Sequence, residues 1–281
     1  MRILLTGAAG FIGRHGLARL EAEHDLFPLV REAPDESREW IVQDLAQPLD
    51  VTLLPERIDA VIHLAQSHRY REFPDGAEDV YAVNVNSTFQ LLEYARRAGA
   101  RTFVLASTGG IYGYSYEALV ETDPANPLNF YLTSKHVAES LLANYQAFFQ
   151  TVVFRFFFVY GRGQGSMLVP TLIDKVRKGD QISIAGRPGQ RINPIHVSDA
   201  VEAFPRALEL ERSDVFNVAG EEIVSIRELV DVIEQATGEA AHVRHIDPEH
   251  EGDLIGDNSR MKELLGVHPQ TSLLEGIRSM L

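Results

Sequence analysis

Tyr131 and Lys135 lie four residues apart in the stretch NFYLTSKH, 129–136. On a helix that spacing stacks both side chains on one face. A phenol with a pKa near 10 is a poor base at neutral pH, and a neighbouring cation favours its phenolate. The pair is therefore a candidate general acid and base, although Tyr and Lys at this spacing also occur on exposed helix faces. A second signal lies near the amino terminus, in TGAAGFIG, where Gly7, Gly10 and Gly13 follow a strand-like run and open a helix-like one. Glycine permits backbone angles closed to other residues, lets the main chain approach a pyrophosphate, and lets a helix pack close to a sheet. A helix beginning at Phe11 and Ile12 would offer unpaired N–H groups and a partial positive charge to phosphates. We expect Gly7, Gly10, Phe11, Ile12 and Gly13 to hold a dinucleotide.

Those residues need a scaffold, and the chain supplies an alternating one. Residues 2–6, 26–30, 60–65, 101–107 and 151–157 are short, mostly apolar runs rich in β-branched or aromatic residues, as strands buried on both faces should be. Helical patterns separate them, the clearest at 79–97 and 130–149. Alternation of this kind predicts an α/β fold, a Rossmann-type doubly wound parallel sheet with ligands beyond the carboxyl ends of its strands. After Gly161 the texture becomes loop-rich, with helical segments near 168–178, 225–237 and 272–280. We expect a dinucleotide-binding domain over 1–161 and a smaller substrate-binding lobe over 162–281, with 192–220 returning to the first domain.

Composition narrows the chemistry. The 281 residues are 45% apolar and 23% charged, as expected of a soluble globular chain. The absence of cysteine removes disulfides, thiol nucleophiles and thiolate-bound metals, and leans toward the cytoplasm. A net charge of -14 argues against a nucleic-acid partner. The opening residues lack the apolar core of a signal peptide, and no apolar run reaches membrane-spanning length, Arg155 splitting the most apolar stretch. His242, His245, Asp247 and His250 follow no recognisable zinc spacing, so no metal is expected. His63, flanked by apolar residues at a strand end, reads as a packed or cofactor-adjacent histidine rather than a catalytic base.

The glycine turn, YLTSK at 131–135 and STGGIYG at 107–113 together resemble the extended short-chain dehydrogenase/reductases, specifically the NAD-dependent epimerase/dehydratase family of sugar-nucleotide enzymes. QDL at 43–45, HLA at 63–65, NVNST at 84–88, RFFFVYGRGQ at 155–164, IHVSDA at 195–200, FNVAG at 216–220 and LLGVHP at 264–269 follow in the family's order. The resemblance implies that Thr108 hydrogen-bonds the substrate oxygen beside Tyr131. It implies that Lys135 holds the nicotinamide ribose and depresses the tyrosine pKa. It further implies that Asp44 and Leu45 flank the adenine, that Leu64, Ala65, Gln66, Ser107 and Phe158 line the cofactor, and that Asn84 buttresses the site. Gly109, Gly110 and Phe157 would meet the substrate together with Thr108 and Tyr131. A homodimer through the helices carrying Asn84 and Tyr131 is the family's default.

The departures matter as much. Where an acidic residue commonly grips the ribose 2′-hydroxyl in NAD enzymes, this chain has Arg31, which suits a 2′-phosphate and tilts the expected NAD(P) cofactor toward NADP, with Glu32 opposing. The family's dehydratases have an Asp-Glu pair after the catalytic Thr; Gly109 and Gly110 stand here, so elimination is not expected. The family's phosphate-binding positions are occupied by Phe158, Ile192 and His250, leaving Arg191 as the best candidate for an anionic substrate group. Three readings follow: an epimerase that recycles its cofactor, a reductase or dehydrogenase of a sugar or other carbonyl compound, and a non-catalytic dinucleotide sensor. The first is the expected function.

Overall fold

The computed structural model describes residues 1–247 and 252–281. In chain order the elements are β1 (Arg2–Thr6), α1 (Phe11–Leu20), β2 (Asp25–Val30), β3 (Ile41–Val42), β4 (Ala60–His63), α2 (Ala77–Tyr81), α3 (Ser87–Ala98), β5 (Thr102–Thr108), α4 (Phe130–Ala143), β6 (Gln150–Phe156), α5 (Leu168–Lys178), β7 (Gln181–Ala185), β8 (Arg191–Ile192), α6 (Val197–Val201), α7 (Ala203–Glu209), β9 (Asp214–Val218), β10 (Val224–Ser225), α8 (Ile226–Thr237), β11 (His242–Ile246), α9 (Ser259–Leu265) and α10 (Leu273–Arg278). A π turn, Ala82–Asn86, joins α2 to α3.

Seven strands form one sheet in the order β3-β2-β1-β4-β5-β6-β9. The β2–β3, β1–β2, β1–β4 and β4–β5 pairs are parallel, with Thr6 opposite His63 at the carboxyl end of the β1–β4 pair. Strands β4, β5 and β6 are buried almost throughout, which is why their sequences are continuously apolar rather than alternating. Strand order reverses between β1 and β4, and a crevice opens at the carboxyl ends of such a pair.

The chain forms two compact units, one of 1–111, 125–155 and 201–216, the other of 112–124, 156–200 and 217–281. In the first, Leu4, Leu29, Val61, Leu91, Leu92, Phe103 and Leu142 belong to one apolar core. In the second, a separate core gathers Ile173 and Val176 of α5, Ile182 and Ile184 of β7, Leu229 and Ile233 of α8 and Ile277 of α10. Capping boxes at Ser225/Glu228 and Ser272/Glu275 start α8 and α10. The units cross at 155/156 rather than 161, the returning segment is 201–216 rather than 192–220, and 112–124 joins the second unit.

The five strands expected from sequence lie within two residues of β1, β2, β4, β5 and β6. The helix expected over 130–149 stops at Ala143 instead. Its last turn tightens, the Tyr145 N–H bonding the Leu142 carbonyl, and the chain turns so that the Tyr145 and Phe149 rings stack at 5.9 Å, with Phe149 against Phe103. Burial of those rings outweighs helical continuation.

Candidate active site

The glycine turn is built as its spacing requires. Gly7 has φ +68, and a Cβ there would stand 2.7 Å from the Ala65 amide nitrogen, so only glycine lets β1 leave the sheet this close to the residue after β4. A Cβ on Gly13 would meet the Gly7 carbonyl oxygen at 2.1 Å. Helix α1 begins behind Gly10, which supplies no side-chain cap. The first-turn N–H groups of such a helix have no intrahelical partner, and a phosphate is a suitable one.

Tyr131 and Lys135 sit on α4, which starts at Asn129, its side chain accepting from the Leu132 N–H at 2.9 Å. The Tyr131 hydroxyl donates to Gln66 Oε1 at 3.0 Å, and the Tyr70 ring lies 5.0 Å from the Tyr131 ring, tilted by 45°. Burial, and secondarily Tyr70, push the Tyr131 phenol above its ordinary value. Depression of the tyrosine by Lys135 is therefore not a property of the protein alone: desolvation dominates at the phenol and holds its proton. Lys135 is only 4% exposed, and its ammonium makes no hydrogen bond or ion pair among the described residues. Burial pulls it down to about 8, Glu139 one turn further along partly opposing this. Glu139 itself is held by Arg155 of β6 at 2.7 Å.

A hydrogen-bonded frame surrounds the pair. Asn84, in the π turn, accepts from the Ser67 N–H and donates to Ser134 Oγ, both at 2.9 Å; Ser134 Oγ donates to the Tyr131 carbonyl at 2.7 Å. The turn thus ties the loop after β4 to the helix carrying Tyr131, and the extra residue per turn aims Asn84 inward. His63 lies 2.7 Å from Thr6 Oγ1 through Nδ1 and 3.1 Å from Thr88 Oγ1 through Nε2. Because Thr88 already donates to the Asn84 carbonyl, His63 carries its proton on Nε2 and accepts at Nδ1. Fully buried, it is drawn down to about 3, with Lys135 adding to the effect, and is a neutral packing residue as expected. Sequence reasoning missed Ser134 and Ser67; the signal available for Ser134 was its place three residues after Tyr131, from which a serine hydroxyl reaches back to a helical carbonyl.

Thr108 ends β5 and accepts from the Gly110 N–H at 3.2 Å. A Cβ on Gly110 would stand 2.8 Å from Leu132 Cδ2, so a side chain there would press on α4. Ser107 Oγ is buried with no hydrogen-bond partner among the described residues. A dinucleotide fits this set: Gly7 and Gly13 leave no room for a Cβ, the buried Ser107 hydroxyl has no partner among the described residues, and the largely buried Lys135 side chain carries a cation with no hydrogen bond among them.

The family pattern for NAD dependent epimerase/dehydratase proteins matches residues 3–219. The chain belongs to this family. Among relatives of the epimerase/dehydratase family, it is 30% identical to the UDP-glucose 4-epimerase of Azospirillum brasilense, the match covering 98% of this chain and 89% of that one. It is 28% identical to the uncharacterized UDP-glucose epimerase YtcB of Bacillus subtilis over 99% of this chain and 96% of that one. The UDP-glucuronic acid 4-epimerase of Bacillus cereus, solved with UDP-glucuronic acid and NAD, superposes with a TM-score of 0.88 at 26% identity, covering 99% and 97% of the two chains.

The structure places the other residues that the epimerase/dehydratase resemblance singled out as follows. Gln66 spends its carbonyl on Tyr131. Leu45 is buried in the first unit's core, and exposed Asp44 accepts from the Ala46 N–H at 2.9 Å. Leu64 and Ala65 are half-buried beside the glycine turn, Phe11 packs edge-on to His15, and Arg31 and Glu32 are exposed after β2. In the second unit, the Phe157 ring is 1% exposed, stacked on Tyr112 and pressed by Gly256, so it packs the interior rather than opening to a ligand. Phe158 takes φ +44, a conformation that Asn tolerates better than Phe, and packs on that unit's core. Arg191 is spent on Asp253, with two side-chain contacts of 2.7 Å and a third from its backbone N–H; the carboxylate is 3% exposed, so the guanidinium first serves a buried charge. No cluster of metal-ligating side chains occurs among the described residues, and His250 lies outside them.

Proposed function

We propose that the protein is an NAD(P)-dependent epimerase of a nucleotide-linked sugar, inverting the C4 hydroxyl through a keto intermediate. The observation that carries this reading is Tyr131 one helical turn from a buried, unpartnered Lys135, linked through Gln66 and Ala65 to the glycine turn. The family and the activities named for the three relatives support it. Bound nicotinamide supplies a positively charged hydride acceptor and then the hydride donor. Tyr131, as phenolate, takes the proton of the C4 hydroxyl as the C4 hydride departs, and Thr108 Oγ1 hydrogen-bonds the same oxygen. Lys135 holds the ribose hydroxyls and adds positive charge near the phenol. When hydride returns to the opposite face, Tyr131 gives its proton back to the alkoxide, so no net oxidation remains. Gly109 and Gly110 stand where the acidic pair of the dehydratases would be, which leaves elimination without its acid and base.

The cofactor is NAD(P). Arg31, exposed after β2, narrowly favours NADP, whereas the Bacillus cereus relative holds NAD. If Arg31 meets a 2′-phosphate, Arg31→Ala lowers NADP affinity about tenfold and leaves NAD affinity unchanged, a change of about 1.4 kcal/mol; an unaltered ratio assigns the arginine to solvent. Exposed Tyr81, Phe89 and Val137 on α2, α3 and α4 support a homodimer through these helices, tested by light scattering of the purified protein. The absence of cysteine supports a cytoplasmic location; among the described residues no helix is long and apolar enough to cross a membrane.

Denaturing the purified protein tests the recycling step. Near-stoichiometric release of dinucleotide, with epimer formed from UDP-glucose or UDP-glucuronic acid without added redox partner, is the expected result. A second reading, a reductase that exchanges cofactor each turnover, draws on Arg31 and on Arg191 being committed to Asp253. It requires protein isolated empty and a carbonyl substrate consumed with NADPH.

A further inference from the structure

Gln66 follows β4 at the point where strand order reverses, and its backbone is pinned on both sides. The preceding Ala65 N–H donates to Thr6 Oγ1 at 3.2 Å and lies against Gly7; the following Ser67 N–H donates to Asn84 at 2.9 Å. From that fixed base the carboxamide oxygen accepts the Tyr131 hydroxyl at 3.0 Å. We propose that Gln66 is a positioning residue for Tyr131, serving the phenol with its carbonyl oxygen and the phenolate with its amide N–H.

The chemistry of the side chain permits both roles. A carboxamide carries an acceptor and two donors on opposite ends of one plane, and the torsion that exchanges them is broad and two-fold. As Tyr131 gives and takes its proton, half-rotation of the amide keeps the hydroxyl oxygen hydrogen-bonded in either state and fixes its direction. The other titratable or charged groups around the phenol are placed differently. Tyr70, on the loop after β4, faces it ring to ring at 5.0 Å and adds to the effect of burial in raising its pKa, and Arg71 is stacked over Tyr70 at 5.1 Å. His63 is buried between Thr6 and Thr88. On α4, Lys135 and His136 follow Tyr131, and Lys135 donates only. This role rests on the reading of Tyr131 as the acid and base of the proposed epimerase.

The test uses NAD-loaded enzyme labelled with ¹³Cζ-tyrosine, the Tyr131 resonance being assigned by its loss in Tyr131→Phe. In Gln66→Glu the side chain still accepts but no longer donates, and the Tyr131 titration is expected to rise by at least about one pH unit. In Gln66→Met, which keeps the length but loses both polar ends, kcat is expected to fall about tenfold with KM changed less than about twofold. A Gln66→Glu titration within about 0.3 pH unit of the parent, or full kcat in Gln66→Met, overturns the proposal. Failure of the functional reading shows separately, as turnover surviving in Tyr131→Phe, because the titration is read without substrate.

Discussion

Lys135 places an ammonium on a side chain that is almost wholly buried, with no counter-charge in contact among the described residues. Its ordinary value of 10.5 falls to about 8, so keeping it charged at neutral pH costs the folded protein up to about 3 kcal/mol. The sign is definite: between pH 8 and 10.5 the unfolded chain binds more protons than the folded one, and stability from this group rises with pH across that window. We therefore expect Lys135→Met to stabilise the ligand-free protein at pH 7 in urea unfolding, to lose that advantage by pH 10, and to be inactive. A variant no more stable than the parent at pH 7 would mean that the ammonium has found a partner. The sequence showed the pair and its spacing, since four residues on a helix fix a shared face. It did not show the direction of either pKa, because desolvation depends on the loops that cover the helix.

At the scale of elements, the π turn Ala82–Asn86 performs a task that a regular helix would not, holding Ser67 on one side and Ser134 on the other with one asparagine. Asn84→Ala strands the buried Ser67 N–H and removes the donor to the Ser134 hydroxyl, which keeps its bond to the Tyr131 carbonyl; it is expected to cost about 1–3 kcal/mol in denaturant unfolding and to lower kcat as α4 loses its tie. The glycine turn is as sensitive. Gly13→Ala places a methyl on the Gly7 carbonyl, with an expected loss of about 1–3 kcal/mol and of cofactor binding measured by calorimetry. Both elements were visible in sequence to different degrees. Gly7, Gly10 and Gly13 announced the turn because their spacing is dictated by backbone geometry, whereas NVNST read as ordinary helix, the π turn arising from tertiary contacts. The two-residue strands β3, β8 and β10 carry too little pattern to be seen, and the end of α4 was set by aromatic packing at Phe149 rather than by a helix stop signal.

For the whole molecule, the buried core strands made the parallel sheet legible, since strands covered on both faces are continuously apolar. A return of the chain to the first domain was legible as 192–220, beside the observed 201–216; that 112–124 joins the second unit was not, because it rests on contacts remote in sequence. One global property follows from His63 at the centre of the β1–β4 pair. Its value falls from 6.5 to about 3, so the folded state refuses a proton that the unfolded chain accepts; its stabilising effect is complete above pH 6.5 and is lost as pH falls toward 3. Acid unfolding is expected to steepen by up to about 1.4 kcal/mol per pH unit in that window relative to His63→Gln, whatever the variant costs overall. The central claim, that Tyr131 is the acid and base of a C4 epimerisation, is tested most directly by proton NMR of UDP-glucose and UDP-glucuronic acid incubated with NAD-supplemented wild type and Tyr131→Phe. The C4 epimer is expected with wild type, and a turnover lower by about 10² to 10⁴ with folded, NAD-binding Tyr131→Phe. Turnover in that variant within tenfold of wild type would contradict it.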